Sequence, residues 1–371
     1  MPRVFEFSSN KPDSILIWSL FSLIFLGFLM LFASSSWISL QKTESSTYYL
    51  FHQFLYGFLP GIFLFYFFSR VSIKFLKNLI PLFFISSMIF LVLVFIPSLN
   101  FEAGGASSWL KVGPFTFQPS EFAKLAIILY LAAFFEKKRK ENKIKDFKKS
   151  FIPFLIILAP FGLLLFLQPD MGTLGIIAII SFLMFFGAEA SYWQCLLLIV
   201  LGLSVVLCGA MIFPHQAKRI TTFLNPEDDA LGMGYQINQS LIALGSGGIF
   251  GVGFGNGIQK YSYLPQPMGD TIFAIWGEET GIIGTSLVIA VVLIISFRGL
   301  IIAKRASNDF SKLLAIGITC WIGIQSFLHI MAVCGLIPFT GLPMPFISYG
   351  GSALIFALIG AGILVNISKT E

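Results

Sequence analysis

Apolar residues in this chain come in long unbroken runs separated by short polar stretches, with neither a lasting helical stripe nor a strand alternation. A helix needs about 20 mostly apolar residues to cross the hydrocarbon core of a bilayer. Ten stretches meet that requirement: 15–37, 48–69, 75–97, 120–136, 151–168, 171–188, 192–213, 271–297, 312–335 and 345–367. The pattern predicts an all-α integral membrane fold of about ten transmembrane helices. A long outer loop, 214–270, joins helices seven and eight, and residues 1–371 read as a single polytopic domain. The fifth and sixth stretches are parted only by Gln168, Pro169 and Asp170; a proline beside a charge predicts a tight turn at a membrane surface. The first run, 14–32, is longer than a signal-peptide core and reads as a retained helix.

Composition agrees. The chain of 371 residues is 56% hydrophobic and 11% charged, whereas a soluble domain carries about 25% charged residues. The net charge of +6 alone would admit a nucleic-acid partner, but the distribution argues for a membrane. With the N-terminus inside, eighteen Lys and Arg fall on the inner side, eight of them in 137–149, and six on the outer side. Basic residues mark cytoplasmic loops, so both termini and the 137–149 run are expected inside, the run against anionic lipid, with no nucleic acid involved. Cys195, Cys208, Cys320 and Cys334 lie within apolar runs and lack metal-ligand spacing, and His52, His215 and His329 are scattered. A P-loop, a dinucleotide fingerprint and a Ser/His/Asp signature are all missing, which argues against a nucleotide-driven pump.

Chemistry therefore has to come from the outer polar segments: 100–119 with its GGASSW, the QPDMGT turn at 168–173, the loop 214–270, and 341–352. The stretch 232–284 is the most unusual, being rich in glycine and in uncharged hydrogen-bonding groups such as Gln236 and Gln239. It delivers an isolated Asp270 to the edge of the next apolar run, where an aspartate suits a helix N-cap and also a general base. Glu278 and Glu279 follow inside an apolar run; such carboxylates either pair with a cation from another helix or carry function. Lys218 and Arg219 are rare outer cations that suit a pyrophosphate, with lipid headgroups or Glu227, Asp228 and Asp229 as competing partners. Gln118-Pro119 and Gln168-Pro169 are expected to open helices whose free N–H groups attract anions. Glu121 and Lys124 share a helix face and are expected to pair. Trp109 suits an interfacial anchor or a platform for a sugar ring, and residues 237–244 suit a re-entrant or interfacial helix.

Six ordered motifs carry a resemblance over nearly the whole chain: GGASSWLKVGPFTFQPSEFAKL (104–125), QPDMGT (168–173), KRITTFLNPEDD (218–229), GYQINQSLIALGSGGIFGVGFG (234–255), YLPQPMGDTIFAIWGEETGIIG (263–284) and GLIPFTGLPMPFISYGGSAL (335–354). At these motifs the chain resembles the SEDS family (FtsW/RodA/SpoVE) of peptidoglycan glycosyltransferases. YLPxxxxD, WGEE and PFISYGG are more similar to the division member FtsW than to the elongation member RodA. The resemblance implies polymerisation of lipid II, a disaccharide-peptide on undecaprenyl pyrophosphate, at the outer face of the bacterial cytoplasmic membrane. It implies a class B penicillin-binding transpeptidase and the division or elongation machinery as partners. A lipid II flippase and a non-catalytic scaffold are the rival readings. Asp270 matches the family's essential acid, so the implied catalytic residue is Asp270. The expected substrate-binding set is Arg219, Lys218, Trp109, Gln168, Asp170, Gln236, Gln239 and Ser348, with Glu121, Lys124, Glu278 and Glu279 expected in support. No metal ligand is assigned; a divalent cation held by Asp270 against the pyrophosphate is the alternative role. The chain departs from the family at Gln266 and Met268, where a Glu and a His are usual, at Ser107 or Ser108, where a basic residue is usual, and at His329, where an Asn is common.

The charge asymmetry makes a direct prediction. In a background lacking the four native cysteines, a cysteine at position 230 is labelled by an impermeant reagent from outside and one at position 142 is not. Labelling of 142 but not 230 reverses the topology.

Overall fold

The structure, a computed structural model, describes residues 11–369 apart from 104, 105, 113, 114, 230, 231 and 262. Two glycines of GGASSW, and position 230, therefore lie outside the described residues. Helix α1 (Ser14–Thr43) is followed by α2 (Tyr48–Gln53), a π-helical turn (Phe54–Phe58), α3 (Leu59–Phe68) and α4 (Ile73–Leu93). A three-stranded antiparallel sheet comes next, β1 (Asn100–Ala103), β2 (Ala106–Val112) and β3 (Phe115–Phe117), in the order β1-β2-β3. The remainder is α5 (Pro119–Lys140), α6 (Ile152–Leu167), α7 (Met171–Gly187), α8 (Tyr192–Ile212), α9 (Pro214–Leu224), α10 (Met233–Gly247), α11 (Ile272–Arg305), α12 (Asp309–Val333) and α13 (Gly351–Ser368).

Each of the ten predicted stretches falls on helix. Among the described residues, eight helical segments are long and apolar enough to cross a membrane; α7 is apolar but shorter. Helix α5, at the fourth stretch, ends in Lys137, Lys138, Arg139 and Lys140. Helix α11 packs on α12, α1 and α10, while α5 packs on α4 and α12, and α13 on α3. Large apolar side chains remain exposed on the outside of the bundle, such as Trp18, Phe63 and Leu207. A surface of that kind belongs in lipid.

The helical membrane architecture is as expected, with three local departures. Asn100–Ala103, Ala106–Val112 and Phe115–Phe117 form the small sheet, because SSWLKV and FTF alternate in character as strands do, with Ser108 and Leu110 buried while Lys111 is exposed. The loop 214–270 is itself structured, holding α9, a 3-10 turn at Pro226–Asp229 and α10, which is longer than the predicted 237–244. The last helix begins at Gly351, six residues later than expected, and the segment before it folds over the end of the bundle.

The glycine-rich segment after α10 is clasped to α11. Helix α11 is broken at Gly281, whose φ of 66° a side chain rarely adopts. The break frees the carbonyls of Glu278 and Glu279, which accept the N–H groups of Val252 (3.0 Å) and Gly253 (3.1 Å). A Cβ on Gly251 would lie 2.1 Å from the Glu279 carbonyl oxygen, so only glycine fits there. Glu278 accepts from the backbone of Ile258 (2.8 Å) and Gln259, and Glu279 from that of Gly255. Lys260 Nζ reaches Glu279 Oε1 at 2.6 Å, both side chains being buried. The partner of the two glutamates is thus the preceding loop, where the sequence leaves open a cation from another helix or a functional role.

Breaking such a buried pair strands a charge, at a cost of about 3–5 kcal/mol. Lys260→Met is expected to lower the thermal midpoint of the detergent-solubilised protein sharply, and adding Glu279→Gln to restore part of the loss. A midpoint unchanged by Lys260→Met would show that the clasp is not a stabilising element.

Candidate functional site

The clasp, the sheet and the segment before α13 bring several loops together over one end of the bundle. There they enclose a cavity of about 300 Å³. Among its walls are Trp109 from β2, Asp170 at the start of α7, Arg219 from α9, Gln236 from α10 and Asp270. Asp170, Arg219 and Asp270 come from three separate segments and meet only through tertiary structure. A larger groove, about 570 Å³ beside α1 and α2, is lined by Phe, Leu and Ile alone and offers no polar chemistry.

Asp270 is not the N-cap of α11. That position is Thr271, whose hydroxyl donates to the Pro265 carbonyl (2.9 Å), and the helix starts at Ile272. The Asp270 carboxylate takes no hydrogen bond among the described residues, and the cavity is what it faces. Burial pushes its pKa above the ordinary carboxylate value, and the Arg219 guanidinium pulls the other way. Burial likewise works against the charge on Arg219, which Asp270 and Asp170 help to hold. Arg219 Nη1 points at the Thr340 carbonyl from 3.5 Å, too long for a strong bond, and Arg219 Nε is buried without a partner. Gln236 Nε2 and Asp170 Oδ2 are buried and unpartnered as well. The other Asp170 oxygen caps α7 by accepting from Thr173 N–H at 3.0 Å. Buried polar groups are normally satisfied, so three orphans around one cavity mark a place for a polar ligand.

Four residues expected to bind substrate lie elsewhere. Lys218 pairs with Asp229 at 3.0 Å, the local competitor foreseen for it. Gln168 is buried and donates to the Leu91 carbonyl (2.8 Å), tying the turn to α4. Gln239 is half-buried on α10 and does not reach the cavity wall. Ser348 is buried; its hydroxyl donates to the Gly269 carbonyl (3.0 Å) and accepts from Met344 N–H (2.9 Å), so it fixes the residue next to Asp270. Of the two proline motifs, Pro119 does open a helix, whereas Asp170 and not Pro169 heads α7. Glu121 and Lys124 pair at 2.7 Å, both buried. Lys124 also donates to Gln325 Oε1 (2.8 Å), and Gln325 Nε2 to the carbonyl of Pro343 in the cavity wall (2.7 Å). His329 Nδ1 lies 3.0 Å from the Leu342 carbonyl and steadies the same wall. Of the departures, Gln266 lines the cavity, and Met268 packs against the core. Two wall elements were not singled out as site residues, the 339–343 loop and Tyr349, although both sit in the last quoted motif and Tyr349 lies in the polar segment 341–352.

A multi-pass helical membrane protein with a cation and two carboxylates around a cavity at one end is the class these features define. Residues 14–371 match the sequence model of the FtsW/RodA/SpoVE group, described as cell cycle proteins, and the chain belongs to that family. It is 38% identical over 360 residues to stage V sporulation protein E of Bacillus subtilis, covering 97% of this chain and 98% of that one. It is 36% identical over 362 residues to a probable peptidoglycan glycosyltransferase FtsW of Geobacter sulfurreducens, covering 97% and 95%. Among solved structures it resembles a chain from a study of polymerization and crosslinking by a peptidoglycan synthase complex, with a TM-score of 0.77, 26% identity and 96% and 97% coverage. It shares its fold with the rod shape determining protein RodA of Thermus thermophilus, with a TM-score of 0.71, 23% identity and 96% of each chain covered.

Proposed function

We propose that the chain is an inverting peptidoglycan glycosyltransferase that polymerises lipid II at the outer face of the cytoplasmic membrane, in cell division. The observation that carries this reading is the free Asp270 carboxylate facing Arg219 among unsatisfied donors. A hydroxyl of the acceptor sugar attacks the anomeric carbon of the donor. The new C–O bond forms as the bond from that carbon to the pyrophosphate oxygen breaks, and the hydroxyl proton passes to Asp270. Such a base contributes about 10²–10⁴-fold. Arg219 holds the pyrophosphate that departs with the electron pair, and Gln236 Nε2 offers a further donor. The α-linked donor becomes a β-linked product, so the base approaches opposite the leaving group and no covalent intermediate forms. A divalent cation would find Asp170 and Asp270 as carboxylate ligands and would neutralise pyrophosphate charge.

Orientation follows from the same reading. The cavity end faces out, and both termini and the 137–149 run face the cytoplasm. At that inner end Arg139 pairs with Glu189 (3.1 Å) and Asp309 (3.4 Å). A class B penicillin-binding transpeptidase is the partner, receiving the strands for crosslinking. Beneath the 339–343 wall, the buried Glu121, Lys124, Gln325 and Trp321 network closes the bundle, which favours chemistry at the outer face over a transport path.

Asp270→Asn keeps the shape and removes the base. Purified and given lipid II, the variant is expected to insert and fold normally, bind its transpeptidase, and lose polymerisation by about 10²-fold or more. A rate close to that of the parent protein would remove Asp270 from the chemistry.

A further inference from the structure

Tyr349 is held more firmly than a side chain at a cavity wall needs to be for packing alone. Its hydroxyl lies 2.9 Å from Nδ1 of His52, and its backbone N–H donates to the Met268 carbonyl at 2.9 Å. Tyr49 meets its ring edge-on, with centroids 5.4 Å apart and planes at 85°. The next residue is pinned as well, because Gly350 N–H donates to the buried side-chain oxygen of Gln53 at 3.1 Å. His52 and Gln53 are consecutive, yet both serve the same turn. The π-helical turn Phe54–Phe58 begins directly after them, and such insertions re-aim side chains at functional sites. Within it, a Cβ on Gly57 would lie 3.3 Å from Cα of Gly351, which is how close the two segments come.

A ring fixed at its hydroxyl, its edge and its backbone, with part of its surface left to a polar cavity, is a preorganised platform. Sugar rings present one face of C–H bonds to such a surface while their hydroxyls turn to carboxylates and amides; Asp270 and Gln236 are in the same walls. We infer that Tyr349 is a substrate-binding residue that stacks against a hexose ring of the lipid-linked saccharide, and that His52 is a positioning residue acting through the Tyr349 hydroxyl. The inference rests on the glycosyltransferase reading for its substrate class. The pair is complete when His52 carries its proton on Nε2 and accepts from the tyrosine through Nδ1. The pyrophosphate falls to Arg219 and not to this pair, so the two halves of the ligand are read by different residues.

Two ligands separate these halves: lipid II, and undecaprenyl pyrophosphate, which lacks the sugars. Equilibrium binding of each to the full-length protein in nanodiscs needs no turnover. Tyr349→Phe and His52→Leu are each expected to weaken lipid II binding about 3–10-fold, the worth of one hydrogen bond, and to leave undecaprenyl pyrophosphate binding unchanged. The double variant should be no weaker than either single one, because His52 acts only through Tyr349. Tyr349→Leu should lose more, and Tyr349→Trp, which keeps a flat ring, should recover part of it. Arg219→Ala should weaken both ligands. Lipid II binding unaffected by Tyr349→Leu overturns the inference, as does an equal loss of both ligands in Tyr349→Phe, which would mean that Tyr349 merely supports the wall. A parent protein that binds both ligands but does not polymerise contradicts the glycosyltransferase reading and leaves the binding comparison to decide this one.

Discussion

The attraction between the Arg219 guanidinium and the Asp270 carboxylate is the constraint on which the cavity end of this protein turns. Neither group is neutralised by a close ion pair or consumed by a helix cap, and each faces the same cavity. Burial disfavours both charges and each charge favours the other, the balance leaving the Asp270 carboxyl above its ordinary value. A carboxyl whose pKa is raised in this way is a better base once deprotonated, and the guanidinium beside it is a ready anion site. These are the two properties that transfer of a sugar from a pyrophosphate requires.

The rest of the structure at that end serves to hold this pair in place. Asp270 stands at the end of a long glycine-rich segment that would be slack by itself. The Lys260–Glu279 bridge and the carbonyls released at Gly281 lash that segment to α11. Ser348 and Tyr349 then bond the backbone of Gly269 and Met268, the two residues before the acid. From the other side, Gln325 and His329 fix the Pro343 and Leu342 carbonyls of the wall next to Arg219. Several buried polar contacts that look expensive for a membrane protein are thus the supports of a single cavity.

The helical framework was legible in the sequence because lipid demands long apolar runs, and length alone locates them. The sheet was missed: its strands are short, and the glycines and proline between them read as loop. The residues of the site were legible by type, since cations and isolated carboxylates are rare at an outer membrane edge. Their pairings were not. Lys218 and Arg219 are neighbours in sequence, but helix α9 turns Arg219 to the cavity and Lys218 to Asp229. Asp270 reads locally as a cap, and only the start of α11 two residues later frees it. Gln168 and Ser348 have the polarity of ligand groups, yet the nearest backbone carbonyls claim them. Tyr349 lay in the segment 341–352 and the PFISYGG motif, but nothing in its type set it apart from the other aromatic residues of an apolar chain.

The claim at the centre is that Asp270 acts as an ionised base whose proton affinity is set by burial against Arg219. The direct measurement is the pH dependence of polymerisation under single-turnover conditions, for the parent protein, Arg219→Ala and Arg219→Lys. The base must be deprotonated, and removing the guanidinium raises its pKa further. The acidic limb of the Arg219→Ala profile is therefore expected at higher pH than in the parent, with Arg219→Lys between them. An acidic limb that stays in place or moves to lower pH on loss of Arg219 would contradict the account.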